Sequence, residues 1–256
     1  MKPIIKWSGG KSKELPIVHK YKPNKINTYR EPFIGGGAVW LNLNHDKNVV
    51  SDNFVDLVEF YNTIKLYKED CIEHINNNFT EPLDKALKFY ILRQLSFSGM
   101  LRFNSKTNKY NVPFGWYKNL KVLDYGQDLY NLLDNTEIIS GNWKTSVQNV
   151  EQDDFVFLDP PYTRKFQNYS PFGSFGEKEH IELADWFKSS QSNNMLILNK
   201  DEFTYDLYKD YIVDEYNYKY SIQYRDRMKD DDSNAIHFVA INYEVEQNKL
   251  SFQDFQ

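Results

Sequence analysis

The stretch FLDPPY, Phe157 to Tyr162, ends an apolar run with a carboxylate, two prolines and an aromatic ring. Consecutive prolines cannot donate to a β-ladder, so they stop strand pairing and stiffen the chain just beyond it. Asp159 is thereby expected at the end of a strand, facing the crevice of a sheet, with Tyr162 beside it. A rigid acceptor next to an aromatic plate suits a flat ring bearing an exocyclic amine. The carboxylate and a backbone carbonyl can accept the two amine protons while the tyrosine stacks on the ring. A merely structural Pro-Pro turn is the plainer alternative.

Two further stretches point to a nucleoside ligand. In EPFIGGGAVW, Glu31 to Trp40, the glycines Gly35, Gly36 and Gly37 allow a tight turn and close approach of a ligand to the backbone. The spacing is not the dinucleotide fingerprint G-x-G-x-x-G, because Trp40 stands at the third glycine position. In VVSDN, Asp52 follows Gly37 by 15 residues and can accept hydrogen bonds from both ribose hydroxyls. Asp52 and Asn53 are equally suited to cap the helix that FVDLVEF begins, and the two can divide these tasks. The opening segment contains GGKS, the ending of a phosphate-binding loop, but Ile5 occupies the position of that loop's first glycine. A β-branched residue resists the positive φ required there, so a triphosphate loop is excluded.

The elements that must hold these residues alternate as in an α/β sheet. TYREPFIGGGAVW reads as strand, glycine turn and helix start, and NVVSDN as a buried strand. FVDLVEFYNTIKLY has helical spacing at Val55, Val58, Tyr61 and Ile64. From about Lys65 to Asn135 the rhythm is lost: the chain reads as helical to Leu95, then as a turn-rich patch, RFNSKTNKYNVPFG, suited to a long hairpin. TEIISGNW, DFVFLDPPY, MLILNK, YIVDEYNYKYSI and NAIHFVAINYE then read as strands, with a helix over EKEHIELADWFKSS. One α/β domain, residues 1–64 and 137–256, is thus expected to be split by an insertion over 65–136.

The 256 residues carry a net charge of −5, with 41% hydrophobic and 26% charged residues, ordinary values for a globular chain. The aromatic share of 16% is high and suits stacking on flat ligands as well as filling a core. Cys71 is the single cysteine, and the five histidines are scattered, so neither an internal disulfide nor a zinc cluster is expected. No apolar leader or membrane-length run is present, which points to a soluble intracellular protein without membrane partners. The net charge hides an asymmetry. Between Lys85 and Leu123 there is no Asp or Glu, yet eight basic residues occur: Lys85, Lys88, Arg93, Arg102, Lys106, Lys109, Lys118 and Lys121. A solvated surface is the plain explanation; a face turned to a polyanion is the sharper one.

In this order, IKWSGGKS, EPFIGGGAVWLNL, SDN, NVPFGWYK and FLDPPY resemble the Dam-like (D12 class) family of adenine-specific DNA N6-methyltransferases, over nearly the whole chain. The resemblance implies a Rossmann-like methyltransferase sheet with an inserted, mainly helical target-recognition domain carrying a β-hairpin. It implies S-adenosylmethionine as cofactor, no metal, and double-stranded DNA as partner. A cognate restriction endonuclease is a further implied partner where such an enzyme serves a restriction-modification system, and the location is cytoplasmic or the host-cell interior for a phage or viral gene. By resemblance, the cofactor-binding residues are Trp7, Lys11, Phe33, Gly35, Gly37, Asp52, Asn142, Trp143 and Asp159. Lys11 would reach the cofactor's polar end. The catalytic residues are Asp159, Pro160 through its carbonyl, and Tyr162.

For DNA, the resemblance assigns Arg102 to a guanine edge, Phe97 to the space near the extruded base, Met100 and Pro113 to apolar base contacts and Lys6 to the outer base pair. Lys106 and Lys109 join them as phosphate contacts, and GATC is the site implied. The chain departs from the pattern by one extra residue in the hairpin tip and at Ser98, Met100 and Leu101. His237 also stands where the family usually has an acidic residue. Tyr169 and Phe172 are expected on a loop that closes over the base, a plain surface loop being the alternative, and His180 on the first turn of the next helix without a catalytic role. An N4-cytosine methyltransferase, which typically has Ser in place of Asp159, is the nearest rival. An inactive DNA-binding paralogue and a nucleotide-dependent oxidoreductase are the others.

If Lys106 and Lys109 meet phosphates, replacing either by Ala should weaken binding of all duplexes alike and reduce the slope of log K against log salt by about 1. Titrations over a range of salt concentrations check this, and an unchanged slope would exclude the contact.

Overall fold

The computed structural model describes residues 1–76, 84–96, 125–162, 175–219 and 234–245. Along the chain run α1 (Leu15–Tyr21), β1 (Tyr29–Glu31), α2 (Ala38–Leu43), β2 (Asn48–Asp52), α3 (Val55–Asn76), α4 (Asp84–Leu95) and α5 (Gly126–Asp134). They are followed by β3 (Thr136–Ser140), β4 (Phe155–Leu158), α6 (Glu177–Ser189), β5 (Asn193–Asn199), α7 (Glu202–Tyr208), β6 (Ile212–Lys219) and β7 (Asn234–Ile241). The strands build one seven-stranded sheet in the order β3-β2-β1-β4-β5-β7-β6. Strands β1 to β5 pair in parallel, and β7 runs antiparallel to both β5 and β6. This is the Rossmann-like α/β sheet the sequence implies. Helices α1 and α7 were not expected, because segments of seven residues carry too few turns for a periodic signal.

Central strands alternate between two buried faces, which is why they read as continuous apolar runs. On β4, Phe155 and Phe157 enter the core beneath α2 to α5, while Val156 and Leu158 enter the core beneath α6 and α7. Met195 and Ile197 of β5 point to the first side, Leu196 and Leu198 to the second. The helical stripe on α3 holds at Val58, Tyr61 and Ile64 but not at Val55. Leu57, Val58, Phe60, Tyr61 and Ile64 are buried, whereas Val55 is 39% exposed because the helix only begins there.

The chain builds outward from β1 through β2 to β3, then crosses back to β4 on the other side of β1. That reversal opens a crevice beyond the carboxyl ends of β1 and β4, where open α/β sheets hold ligands. The glycine turn leaves β1 into this crevice, and Asp159 leaves β4 into it. At the opposite end of the sheet, Asp154 pins the two strands. Its carboxylate accepts from the Thr28 and Glu151 amides at 3.1 and 3.2 Å and from Arg30 Nε at 2.8 Å.

The expected insertion, 65–136, begins inside α3, three residues before a break in helical geometry at Lys68. Its described parts share the main core: Phe89, Tyr90, Leu129, Leu132 and Leu133 pack with Phe60 and Phe155. Phe97, Met100, Arg102, Lys106, Lys109, Pro113, Tyr169 and Phe172 lie outside the described residues. Among the described residues, no helix is long and apolar enough to cross a membrane.

Asp154→Ala should destabilise the fold by about 3 kcal/mol, because it leaves Arg30 Nε and the Thr28 and Glu151 amides without their acceptor. Denaturant unfolding measures this; a loss below about 1 kcal/mol would show that the pin contributes little.

Candidate active site

Two glycines shape the β1 exit. Gly35 and Gly37 have φ of +46° and +68°, the left-handed region that glycine enters without penalty. A Cβ on Gly35 would lie 2.8 Å from Trp7 Nε1, so the ring of Trp7 lies directly on the loop. Trp7 also packs edge-on against Phe54, and the Arg93 guanidinium stands 3.8 Å above its ring. Trp7 is therefore part of the packing and part of the crevice wall. Arg93, from the end of α4, was not singled out from the sequence: its charge belonged to a long basic run with no local pattern to mark it.

Asp52 takes the turn-forming task. Its Oδ2 accepts from the Gly35 amide at 3.1 Å and its Oδ1 from the Phe54 amide at 2.9 Å, which joins the ends of β1 and β2. Burial raises its pKa, with the Phe54 and Gly35 amides opposing. Each carboxylate oxygen keeps a lone pair for a further donor. Phe33 lies edge-on to Phe175 at 5.5 Å. Glu31, fully within the core, accepts from Tyr29 Oη and the Trp40 amide, and burial pushes its carboxyl up to about 8. It thus caps the helix that follows the glycines.

At the β4 exit, Asp159 meets Lys11. The Lys11 ammonium lies 2.7 Å from Asp159 Oδ1 and donates to Tyr162 Oη at 3.0 Å and to the Gly9 carbonyl at 3.3 Å. Only 4% of the lysine side chain and 19% of the aspartate are exposed. Burial alone would lower the lysine; the charges of Asp159, Tyr162 and Glu14 outweigh it and hold Lys11 well above its usual value. Burial pushes Asp159 up to about 6, with Lys11 pulling the other way. Lys11 is thus turned to the aspartate and tyrosine of FLDPPY.

Behind Lys11 stand Glu14, Tyr216 and Tyr218, which sequence reasoning missed, and His237, which it singled out only as a departure from the family pattern. Glu14 is 2% exposed, with Oε2 3.6 Å from Lys11 Nζ. Its Oε1 accepts from His237 Nδ1 at 2.7 Å and from Tyr216 Oη at 2.5 Å. Burial would raise this carboxyl, but the bond from His237 and the charge of Lys11 hold it below its usual value. The His237 ring stacks on Tyr218 with centroids 4.4 Å apart and meets Tyr162 edge-on at 5.7 Å. The acid that His237 meets here is Glu14, more than 200 residues away along the chain. His180, on the first turn of α6 as expected, donates from Nε2 to the Pro161 carbonyl at 3.0 Å and braces the proline turn. Burial lowers its pKa.

The remaining expected residues have local tasks. Asn142 accepts from the Lys144 amide through Oδ1 and caps a short 3₁₀ turn. Trp143, 4% exposed, packs edge-on against Trp186, with its indole N–H buried and without a partner. Lys6 donates to the Gln94 carbonyl at 2.6 Å, at the end of α4. Among the described residues, no group of three or more His, Cys, Asp or Glu side chains is placed to hold a metal ion. The crevice therefore combines a glycine turn, a ribose-competent acid and a charged acceptor beside an aromatic ring. That set can bind a nucleoside and orient an amine.

Comparison with known proteins bears on the same residues. Residues 7–226 match the D12 class N6 adenine-specific DNA methyltransferases. Among similar proteins, the Type II methyltransferase M.CviBI of Paramecium bursaria Chlorella virus NC1A is 35% identical over 262 residues, spanning 95% of this chain and 100% of that protein. The Type II methyltransferase M1.LlaDCHI of Lactococcus lactis is 31% identical and spans 83% of this chain and 86% of its own. The DNA adenine methylase of Haemophilus influenzae is 31% identical over 81% of this chain and 82% of its own. With the crevice, its proline turn and its glycine loop all inside the matched span, the chain belongs to the D12 class N6 adenine-specific DNA methyltransferase family.

Proposed function

We propose that this methyltransferase moves the methyl group of S-adenosylmethionine to N6 of an adenine extruded from double-stranded DNA. The observation that carries the proposal is the placement of Asp159 at the switch point, with Oδ1 on Lys11. Among the described residues no group bonds Oδ2, which leaves that oxygen for an amine.

The crevice fits the cofactor. The positive-φ glycines bring backbone close to the space beyond β1, and Asp52, at the end of β2, keeps lone pairs for two ribose hydroxyls. Trp7, Phe33, Gly35, Gly37 and Asp52 would hold it, with Asn142 and Trp143 on the adenine side; the unpartnered Trp143 N–H is suited to that. When bound, it supplies an electrophilic methyl group on a sulfonium.

The chain's own residues do the rest. Conjugation with the ring makes the adenine amine a poor nucleophile. Hydrogen bonds from N6 to Asp159 Oδ2 and to the Pro160 carbonyl favour sp3 character and expose the lone pair. Tyr162 stacks on the extruded base, its ring held by Lys11 and His237. Extrusion costs a few kcal/mol, about what stacking on an aromatic ring returns. This is catalysis by positioning and electrostatics.

The insertion over 65–136 would read the duplex, with Arg102 on a guanine, Phe97, Met100 and Pro113 against bases, Lys6 at the outer pair and Lys106 and Lys109 on phosphates. GATC is the proposed site. The enzyme would work inside a cell or viral host, where a restriction endonuclease of the same specificity is its natural counterpart.

Labelled methyl transfer to paired duplexes with and without GATC, followed by nucleoside mass analysis, tests the whole. N6-methyldeoxyadenosine from the GATC duplex alone is the expected product. The same product from other duplexes would discard the site and keep the chemistry, and no methylated nucleoside would overturn the proposal. Asp159→Ala should lower kcat about a thousandfold with cofactor affinity retained; unchanged turnover would remove Asp159 from the mechanism. Because Asp159 must be ionised to accept the amine, kcat/KM should fall as pH drops through about 6, the carboxyl's raised value. Arg102→Ala should relax discrimination between GATC and altered sites by about 1–3 kcal/mol in competition binding. A uniform loss of affinity instead would make it a phosphate contact.

A further inference from the structure

One buried atom in the crevice wall is unaccounted for. Glu14 Oε2 is shut away from water and has no hydrogen-bond partner, although its companion Oε1 has two. A buried carboxylate oxygen with no hydrogen bond is costly, and native structures rarely keep one. It faces Lys11 Nζ at 3.6 Å, while that ammonium sits on Asp159 Oδ1 at 2.7 Å. The lysine stands between two carboxylates and bonds one of them.

We propose that Glu14 is the alternative anchor for Lys11, taking the ammonium when Asp159 loses its charge, and that His237 and Tyr216 are positioning residues that hold Glu14 ready. The inference rests on the methyl-transfer reading. As the carbon–nitrogen bond forms, the carbon–sulfur bond breaks and sulfur keeps the electron pair. N6 becomes cationic and passes one proton to the Asp159 carboxylate, leaving methylated amine and neutral Asp159. Lys11 then has no counter-charge in front of it and a full carboxylate behind it. A shift of about 0.8 Å brings Nζ to charge-assisted hydrogen-bond distance from Oε2.

The surroundings fit an exchange of this kind. Lys11 is 4% exposed, so it cannot simply turn out to water when Asp159 is neutralised, and an unpaired buried ammonium is strongly disfavoured. Glu14 is kept from moving toward Lys11 by its two bonds at Oε1, so the lysine, on its flexible stem, is the partner that moves. The Tyr162 hydroxyl, bonded to Lys11, feels the same shift and passes it to the ring against which the base would stack.

Crystal structures of the protein and of its Asp159→Asn variant test the exchange without turnover, since the amide stands in for the neutral acid. In the variant, Lys11 Nζ should lie within about 3 Å of Glu14 Oε2; a lysine still on the side-chain oxygen at position 159 would overturn the proposal. Kinetically, Glu14→Gln should lower kcat about tenfold or more, with KM for DNA and cofactor changed less than about twofold. His237→Leu should do the same, and the double variant should be no slower than Glu14→Gln alone if the two act as a unit. Unchanged kcat in Glu14→Gln, or a loss spread equally over kcat, both KM values and melting temperature, would reduce the pair to a structural contact. Failure of the wild-type enzyme to methylate adenine would instead strike the proposed function, and the position of Lys11 in the variant would still read out the exchange.

Discussion

The buried contact between Lys11 and Asp159 is the constraint around which the rest of the crevice is arranged. It joins the first turn of the chain to the end of a strand nearly 150 residues later, across the point where the sheet reverses its order. An ion pair so shielded does not stabilise the fold greatly, because desolvation offsets most of the attraction; its value lies in orientation. One oxygen of Asp159 is taken, and so the other has a defined direction. Tyr162 is tied to the same ammonium, and so acceptor and aromatic plate move together.

Rigidity around that pair comes from elements that do no chemistry. The two prolines end β4, and His180 holds the carbonyl of the second from the first turn of α6. Asp154 fixes β1 against β4 at the far end of the sheet. Asp52 bonds the backbone just beyond both β1 and β2, and Tyr61 of α3 donates to the Gly35 carbonyl. The glycine turn is thereby set by strands, by a helix and by the Trp7 ring at once.

The corner behind Lys11 illustrates how charge can be supplied from different places in a chain. A histidine stands on β7, and a glutamate from the N-terminal segment reaches it. Two carboxylates, one ammonium and one imidazole then share a largely buried space. In such surroundings each charge depends on the others, which is why Asp159 lies high and Glu14 low for carboxyls of the same cluster.

The sequence by itself determined the sheet, its exits and the family. Apolar runs of four residues with turn residues after them mark the central strands, and FLDPPY, the glycine run and Asp52 each announce a strand end through strictly local chemistry. Short helices such as α1 and α7 escaped, since seven residues hold no repeat, and the buried stripe of α3 was misplaced at Val55 because helix starts are set by capping and packing as much as by period. Only the tertiary structure decided that Lys11 faces Asp159, that Arg93 covers Trp7, and that Glu14 and His237 are partners. Those pairs are separated by about 85 to 220 positions, and an isolated lysine, arginine, glutamate or histidine carries no mark of what it will meet. Backbone pattern is written in neighbours along the chain; the pairing of buried charges is settled when the sheet brings its ends together.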